Sequence, residues 1–115
     1  MLYRSQGRYS EAEPLYFDAL EMRMRLFTGD HPDVANSLNN LAILYYIQGK
    51  YSEAEPLYFD ALEMRMRLFT GDHPNVANSL NNLAILYQSQ GRYSKAEPLY
   101  LDALEMTKRL FTGDH

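Results

Sequence analysis

A 42-residue internal repeat is the feature that most constrains what this chain can fold into. Residues 9–31 are identical to residues 51–73, and residues 34–45 are identical to residues 76–87. Residues 93–115 repeat the first of these segments with a few substitutions. A period of this length indicates stacked supersecondary units, each of which buries its apolar face only against its neighbours.

Each unit is predicted to contain two antiparallel helices joined by short loops. Apolar side chains recur at helical spacing within residues 34–45, which gives one buried stripe. Pro32 suits a first helical position, and Gly49 suits a left-handed helix end. The sequence predicts a stub at residues 1–6, the end of an incomplete first helix, followed by helices at residues 9–27, 33–48, 51–69, 75–90 and 93–111.

Polar residues near the helix starts are interpreted as caps. Ser52 and Glu55 have the spacing of a capping box for the second helix of a unit. Asp30 and Asp72 precede the linker prolines and are predicted to cap the helices that follow. Asn36 and Asn78 are predicted to help cap the same helices. The charges of the second helix, including a Glu63–Arg67 pair and Arg65, are predicted to form a solvated outer face.

Composition excludes several functional classes. The chain has 115 residues, enough for one compact domain, and no cysteine that could form a disulfide or act as a nucleophile. Its formal charge is −4 with no long basic run, which argues against nucleic acid as a partner. No apolar stretch is long enough for a transmembrane span. A cytoplasmic location is expected.

The spacing of large, small and aromatic residues resembles the tetratricopeptide repeat, and the lengthened second helix is similar to the 42-residue variant of kinesin light chains. The matching residues are Leu38, Leu41, Ala42, Tyr45, Gly49, Tyr51, Ala54, Tyr58 and Ala61, and again Leu80, Leu83, Ala84, Tyr87, Gly91, Tyr93, Ala96, Tyr100 and Ala103. This resemblance implies an all-α, right-handed solenoid of about two and a half units. The units are residues 1–31 (partial), 32–73 and 74–115 of one array.

The resemblance also implies a function in protein–protein interaction, with a peptide or partner protein bound in a concave groove lined by the first helices. The first-helix residues outside the core stripe are the predicted site, and they are Asn39, Asn40, Ile43, Tyr46, Asn81, Asn82, Ile85 and Gln88. Asparagine amides offer both donors and acceptors, so a row of them suits a peptide backbone. Alternatively, Asn40 and Asn82 form hydrogen bonds between repeats.

The predicted groove has no Lys or Arg, so a neutral or mildly apolar peptide is favoured over a carboxylate or an acidic peptide. No catalytic constellation is present, and neither an enzyme activity nor a cofactor is predicted. His31, His73 and His115 occur once per repeat, roughly 20 Å apart by helix packing distances, which is too far to share one metal ion.

An alternative function is self-assembly without a peptide-receptor role. Near-identical units allow a helix of one molecule to take the equivalent place in another. A domain-swapped or end-to-end homodimer is therefore the second hypothesis, and light scattering distinguishes it from a monomeric receptor.

Overall fold

The computed structural model describes residues 2–113, with side chains described from Arg8 onward. Within this range the chain contains no strand and forms five α-helices, which are α1 (Leu2–Leu26), α2 (Pro32–Ile47), α3 (Tyr51–Leu68), α4 (Pro74–Ser89) and α5 (Tyr93–Thr112). The prediction of an all-α repeat solenoid is confirmed. No helix in this part of the chain is both long and apolar enough to cross a membrane.

The helix bounds follow the sequence pattern closely except at the start of the chain. Gly49 and Gly91 have φ angles of 79° and 75°, as expected for residues that end α2 and α4 in the left-handed region. The separate stub at residues 1–6 was a wrong prediction, because α1 runs without a break from Leu2 through Gly7. A segment of six residues is too short to form a stable helix of its own, so it continues α1 instead.

The first helices of the second and third units, α2 and α4, are capped by histidine rather than by the predicted aspartate or asparagine. His31 Nδ1 accepts a hydrogen bond from the backbone N–H of Asp33 at 3.1 Å, and His73 Nδ1 accepts one from Asn75 N–H at 3.0 Å. Each imidazole also stacks on a phenylalanine, with ring centroids 3.6 Å apart for Phe27–His31. His31 and His73 are therefore helix caps.

The residues predicted as caps have other partners. Asp30 and Asp72 bind arginines of the following unit. Asn36 Oδ1 accepts a hydrogen bond from Arg65, and Asn78 lines a surface cavity. The capping box at Ser52 is also absent, because α3 begins at Tyr51 with Lys50 as its N-cap and Ser52 donates instead to the side chain of Glu53.

The histidine cap leads to a first testable prediction. His73→Ala removes the acceptor for Asn75 N–H and the ring stacked on Phe69, whose centroid is 3.7 Å away. We expect the free energy of unfolding to fall by about 1 kcal/mol, the usual effect of losing a helix cap. Chemical denaturation measures this change. His73→Asn, which restores a capping acceptor, should recover part of the loss, and equal losses in both variants would contradict the capping role.

Small residues allow the helices to pack closely. Ala42, Ala54 and Ala61 are completely buried, in agreement with their predicted positions at helix crossings. α2 pairs with α3 and α4 with α5, while α1 packs on α2 and α3 packs on α4. Leu41 and Leu86 are among the largest side chains that are almost fully enclosed. The core is thus continuous from one unit to the next.

Among the side chains of residues 8–113, four ion pairs join a unit to the preceding one, two at each junction. Every pair joins residues 37 positions apart, and the pairs are Lys50–Glu13, Arg67–Asp30, Arg92–Glu55 and Arg109–Asp72, with N–O distances from 2.7 to 3.5 Å. The predicted Glu63–Arg67 pair is replaced by a two-bond contact between Arg67 and Asp30. This hydrogen bonding lowers the pKa of the Asp30 carboxyl group. Because the basic side chain of each pair is at least 37% exposed, the pairs define the register of stacking more than its strength.

Candidate functional site

The predicted site residues lie on one side of α2 and α4. We define the α2/α4 face as the surface formed by Asn39, Asn40, Ile43, Tyr46, Asn81, Asn82, Ile85 and Gln88. Residues three and four positions apart share one side of a helix, so each helix contributes a continuous stripe. Asn40, Ile85 and Gln88 are exposed, and Ile43, Tyr46, Asn81 and Asn82 are half-buried.

An asparagine pair joins the two stripes. Asn82 Nδ2 donates a hydrogen bond to Asn39 Oδ1 at 3.1 Å. Asn39 is only 6% exposed, so little of its side chain is accessible from the surface. Asn40, its neighbour in the sequence, is exposed. Asn82 thus has the role between repeats that was the alternative interpretation of the sequence, and Asn39 and Asn82 form the floor of the face.

A second contact joins the stripes near the ends of the helices. The hydroxyl groups of Tyr46 and Ser89 are 2.6 Å apart and share a hydrogen bond. The Tyr46 ring also contacts the Tyr51 ring, with centroids 5.3 Å apart. Gln88, which takes the place of Tyr46 in the third unit, accepts a hydrogen bond from the Tyr100 hydroxyl at 2.6 Å. These contacts hold the polar ends of the face in defined positions.

Cavities border the face. Asn40 and Ile43 line one of about 290 Å³ between α1 and α2. Asn81 lines a second of about 460 Å³ between α4 and α5, and Gln88 lines a third of about 420 Å³ at the other end of the same hairpin. The predicted residues are therefore distributed along a surface with several shallow pockets rather than gathered in one deep site.

The α2/α4 face carries no basic side chain, since neither Pro32–Ile47 nor Pro74–Ser89 contains Lys or Arg. The only acidic residue of these helices is Asp33, in the first turn of α2. The residues of the face itself can therefore offer amide, hydroxyl and apolar groups to a ligand, and the charged side chains nearby are Arg8 and Glu97, which line two of the bordering cavities. Such a surface suits an uncharged polypeptide segment.

Arg65 lies beneath this face, where the sequence interpretation did not place it. Its side chain is 4% exposed, so the prediction that it belongs to a solvated outer face was wrong. Its guanidinium group donates to Asn36 Oδ1 at 2.8 Å on α2, and to Ser79 Oγ at 2.9 Å and Asn75 O at 3.3 Å on α4. Burial lowers the pKa of Arg65. One side chain of α3 thereby links two first helices.

The same position in the preceding unit makes a similar contact. Arg23 of α1 donates to Ser37 Oγ at 2.9 Å and to Asp33 O at 3.2 Å on α2. The corresponding residue in α5 is Thr107, whose hydroxyl instead donates to the Ala103 carbonyl of its own helix. The sequence contains a signal for this role, because Arg65 continues the buried spacing of Tyr58 and Ala61 on α3.

Tyrosines beside the face are also affected by burial. Tyr58 is 4% exposed, and burial raises the pKa of its hydroxyl to about 12. The pKa of Tyr87 is raised by burial and by its hydrogen bond to Glu55. Both hydroxyl groups therefore remain protonated near neutral pH, and that of Tyr87 donates a hydrogen bond to Glu55 Oε2 at 3.1 Å.

Metal binding gains no geometric support. Within residues 2–113, no group of three or more His, Cys, Asp or Glu side chains is arranged to hold a metal ion. His31 and His73 use Nδ1 for helix capping. His115 lies outside the described residues.

Comparison with known proteins identifies the repeat. The sequence model of a family described as tetratricopeptide repeat matches residues 1–67 and 60–109, which together span most of the chain. A search of curated proteins gave no match. The resemblance to this family inferred from the sequence is confirmed.

Solved structures with this fold include kinesin-light-chain-like proteins. BtubC (BKLC) from P. vanneervenii is 27% identical, with a TM-score of 0.85 over 94% of this chain and 43% of its own. A protein of P. anserina described as a kinesin light chain with nearly identical TPR-like repeats is 23% identical, with a TM-score of 0.83 over 94% of this chain and 51% of its own. The chain thus spans about half the length of these proteins, or less.

Proposed function

The chain belongs to the tetratricopeptide repeat family, and we propose that it is an interaction scaffold that binds a peptide or a partner protein on its α2/α4 face. Repeats of this family generally mediate protein–protein interactions and are generally not catalytic. The proposal further divides the chain into repeats at residues 1–31, 32–73 and 74–115. A cytoplasmic location belongs to the same proposal and is favoured by the absence of cysteine.

The observation that carries this proposal is the exposure of amide and apolar side chains on helices without basic residues. Ile85 is 40% exposed on α4, Gln88 is exposed one turn further along the same helix, and Asn40 is exposed on α2. Asparagine is a mediocre helix former, so the three asparagines of α2 do not stabilise that helix through their own helix propensity. Asn39 and Asn82 are explained by their mutual hydrogen bond, whereas Asn40 and Asn81 line surface cavities.

The chemistry of the face favours an uncharged ligand. A carboxylate would require Lys or Arg for tight binding, and these are missing from α2 and α4. Amide side chains can bind the backbone of a peptide whatever its sequence, and Ile43 and Ile85 can contact its apolar side chains. We therefore propose a neutral or mildly apolar segment as the ligand.

A display selection followed by titration tests the proposal. Peptides without charged residues would be selected against the folded chain, and the best binder synthesised and titrated by calorimetry. Ile85→Glu places a carboxylate on the face, and we expect at least about tenfold weaker binding, equivalent to 1.4 kcal/mol. Equal affinity for Ile85→Glu and the unchanged chain would contradict the assignment of the face.

The matched control is Phe59→Glu on α3. Phe59 is 46% exposed, close to the value for Ile85, but it lies outside the α2/α4 face. Its substitution should leave the affinity unchanged. If Phe59→Glu weakens binding as much as Ile85→Glu does, the loss of affinity comes from the added negative charge and not from its position, and the proposed site is wrong.

Self-assembly is the second candidate function. α5 exposes Leu101, Leu104 and Phe111, the last of which is 87% exposed. Apolar side chains grouped on one helix favour association. Light scattering after size exclusion distinguishes the two functions, because a monomer near 13.4 kDa at all concentrations contradicts assembly. A stable dimer that covers the α2/α4 face would instead contradict the peptide-receptor proposal.

A further inference from the structure

The outer sides of α1 and α3 expose the same large apolar side chains. Phe17 and Phe59 are each 46% exposed, and Met24 and Met66 are 56% and 55% exposed. The two helices differ in their neighbours, because α3 packs on both α2 and α4 whereas α1 packs mainly on α2. Since the exposure is nevertheless the same, it is a property of the repeat and does not depend on what lies on either side of a unit.

These apolar side chains form one stripe on each helix. Residues seven positions apart lie on nearly the same side of a helix, so Met24 follows Phe17 on α1 and Met66 follows Phe59 on α3. A glutamate lies between the two members of each stripe. Apolar groups bordered by polar ones on a surface are typical of an interaction site. We define the outer α1/α3 surface as Phe17, Glu21, Met24, Phe59, Glu63 and Met66.

A cavity of about 270 Å³ lies between the two helices and opens beside Met24. Its lining is mainly apolar and consists of Met24, Phe27, Gly29, Asp30, Val34 and Met64. Arg67 Nε donates to Asp30 Oδ2 at 2.7 Å, which joins α3 to the linker that follows α1. Methionine side chains are flexible and adapt to apolar groups of different shape. The cavity can therefore accept an apolar side chain of a ligand that lies across both helices.

The outer α1/α3 surface and its border are acidic. Two arginines border it, Arg25 and Arg67, and the guanidinium group of Arg67 already donates to both carboxylate oxygens of Asp30. Acidic groups outnumber basic ones there, so the surface attracts a cationic ligand and repels nucleic acids and anionic membranes. The exposed carboxylates are those of Asp18, Glu21, Asp60 and Glu63.

We propose that the outer α1/α3 surface binds a basic amphipathic helix of another protein. Its apolar side chains would contact the exposed phenylalanines and enter the cavity, and its Lys or Arg side chains would lie beside the carboxylates. Grooves between helices commonly accept the apolar side of such a helix, and aromatic residues and methionine are enriched in interfaces. This surface shares no residue with the α2/α4 face, and its ligand is cationic rather than uncharged. The inference is therefore independent of the proposed function.

A second copy of this chain is a poorer occupant of the surface. The formal net charge of the chain is −4, so two copies repel each other. The second helices of an approaching copy would also present the same carboxylates to those of the first. Charge complementarity thus favours a basic partner over self-association.

A selection with a competing variant tests the proposal. The probes are displayed segments of about 18 residues, with apolar residues at helical spacing and Lys or Arg at the other positions. The unchanged chain is the bait, and the Phe17→Ala/Phe59→Ala double variant is added in excess as competitor. The best binder is then synthesised and titrated by fluorescence anisotropy. We expect saturable binding that the double variant weakens at least about tenfold and that added salt also weakens.

Two charge variants distinguish local attraction from the effect of net charge. Glu63→Gln and Glu97→Gln each remove one exposed carboxylate, but Glu97 lies on α5 and lines a different cavity. We expect Glu63→Gln to weaken binding of the basic segment by about threefold or more, and Glu97→Gln to leave it unchanged. Equal weakening by the two variants would overturn the proposal, because the charge of the whole chain would then explain the attraction.

Ile85→Ala is the matched apolar control. Ile85 is 40% exposed, close to the phenylalanines, but it belongs to the α2/α4 face. Its substitution should leave binding of the basic segment unchanged, whereas the Phe17→Ala/Phe59→Ala variant should leave binding of the uncharged peptide unchanged. Failure of this proposal is therefore distinguishable from failure of the proposed function. Circular dichroism confirms that each variant is folded.

Three outcomes would overturn the proposal. The first is a selection that returns no binder to the unchanged chain. The second is a binder with equal affinity for the unchanged chain and the Phe17→Ala/Phe59→Ala variant. The third is a homodimer of the unchanged chain that this variant dissociates, because a second copy would then be the occupant.

Discussion

Arg65→Ala is expected to lower the free energy of unfolding by about 2–4 kcal/mol, through a cavity in the core and the loss of charged hydrogen bonds. The guanidinium group is the shared donor to Asn36 and Ser79, which lie on α2 and α4. Its removal leaves these acceptors without the cation that joins them. Chemical denaturation followed by circular dichroism measures the change.

Two further arginine variants serve as controls for this prediction. Arg67→Ala, two residues further along α3, removes an exposed contact with Asp30 and should change stability much less. Arg65→Met keeps most of the apolar volume but donates no hydrogen bond, so it separates packing from polar contacts. An Arg65→Ala variant as stable as Arg67→Ala would contradict the role of Arg65 as a buried link between units.

Ala61→Leu is the second substitution with a large expected effect. Ala61 is completely buried where α3 crosses α2, and three added carbons there force side-chain or backbone shifts that cost about 1–3 kcal/mol. For a chain of this size we expect the melting temperature to fall by roughly 4–8 °C for each kcal/mol. A thermal melt followed by circular dichroism gives the value.

The repeat itself provides the matched control. Ala19 has the same neighbours in the sequence as Ala61 but is exposed on α1. Ala19→Leu should therefore leave the melting temperature nearly unchanged. Equal melting temperatures for the two leucine variants would contradict the difference in burial between Ala61 and Ala19.

Much of the fold could be predicted from the sequence because the repeat supplies independent copies of each signal. Apolar spacing placed the helices, and the glycines at positions 49 and 91 marked their ends correctly. The caps were harder to predict. Asp30 and His31 are adjacent and both can accept a hydrogen bond, and only the conformation of the linker decides that His31 caps α2 while Asp30 binds Arg67.

The candidate site was predicted less completely, since it depends on how helices from different units cross. The period of one helix places Asn39 and Asn40 on neighbouring sides but does not say which faces α4. The structure shows that Asn39 is buried against Asn82. Arg65 was missed because arginine is rarely buried, although acceptors from two units bind both of its terminal nitrogens and leave only Nε without a partner.

A fluorescent dye at a single site tests whether the ligand binds on the α2/α4 face, and the absence of cysteine from the chain makes such labelling practical. Ile85→Cys and Phe59→Cys each introduce one thiol for an environment-sensitive dye, the first on the α2/α4 face and the second on the exposed side of α3. On addition of the selected uncharged peptide, we expect a saturable fluorescence change at residue 85 and none at residue 59. A change at residue 59 with no response at residue 85, while calorimetry confirms binding, would contradict it.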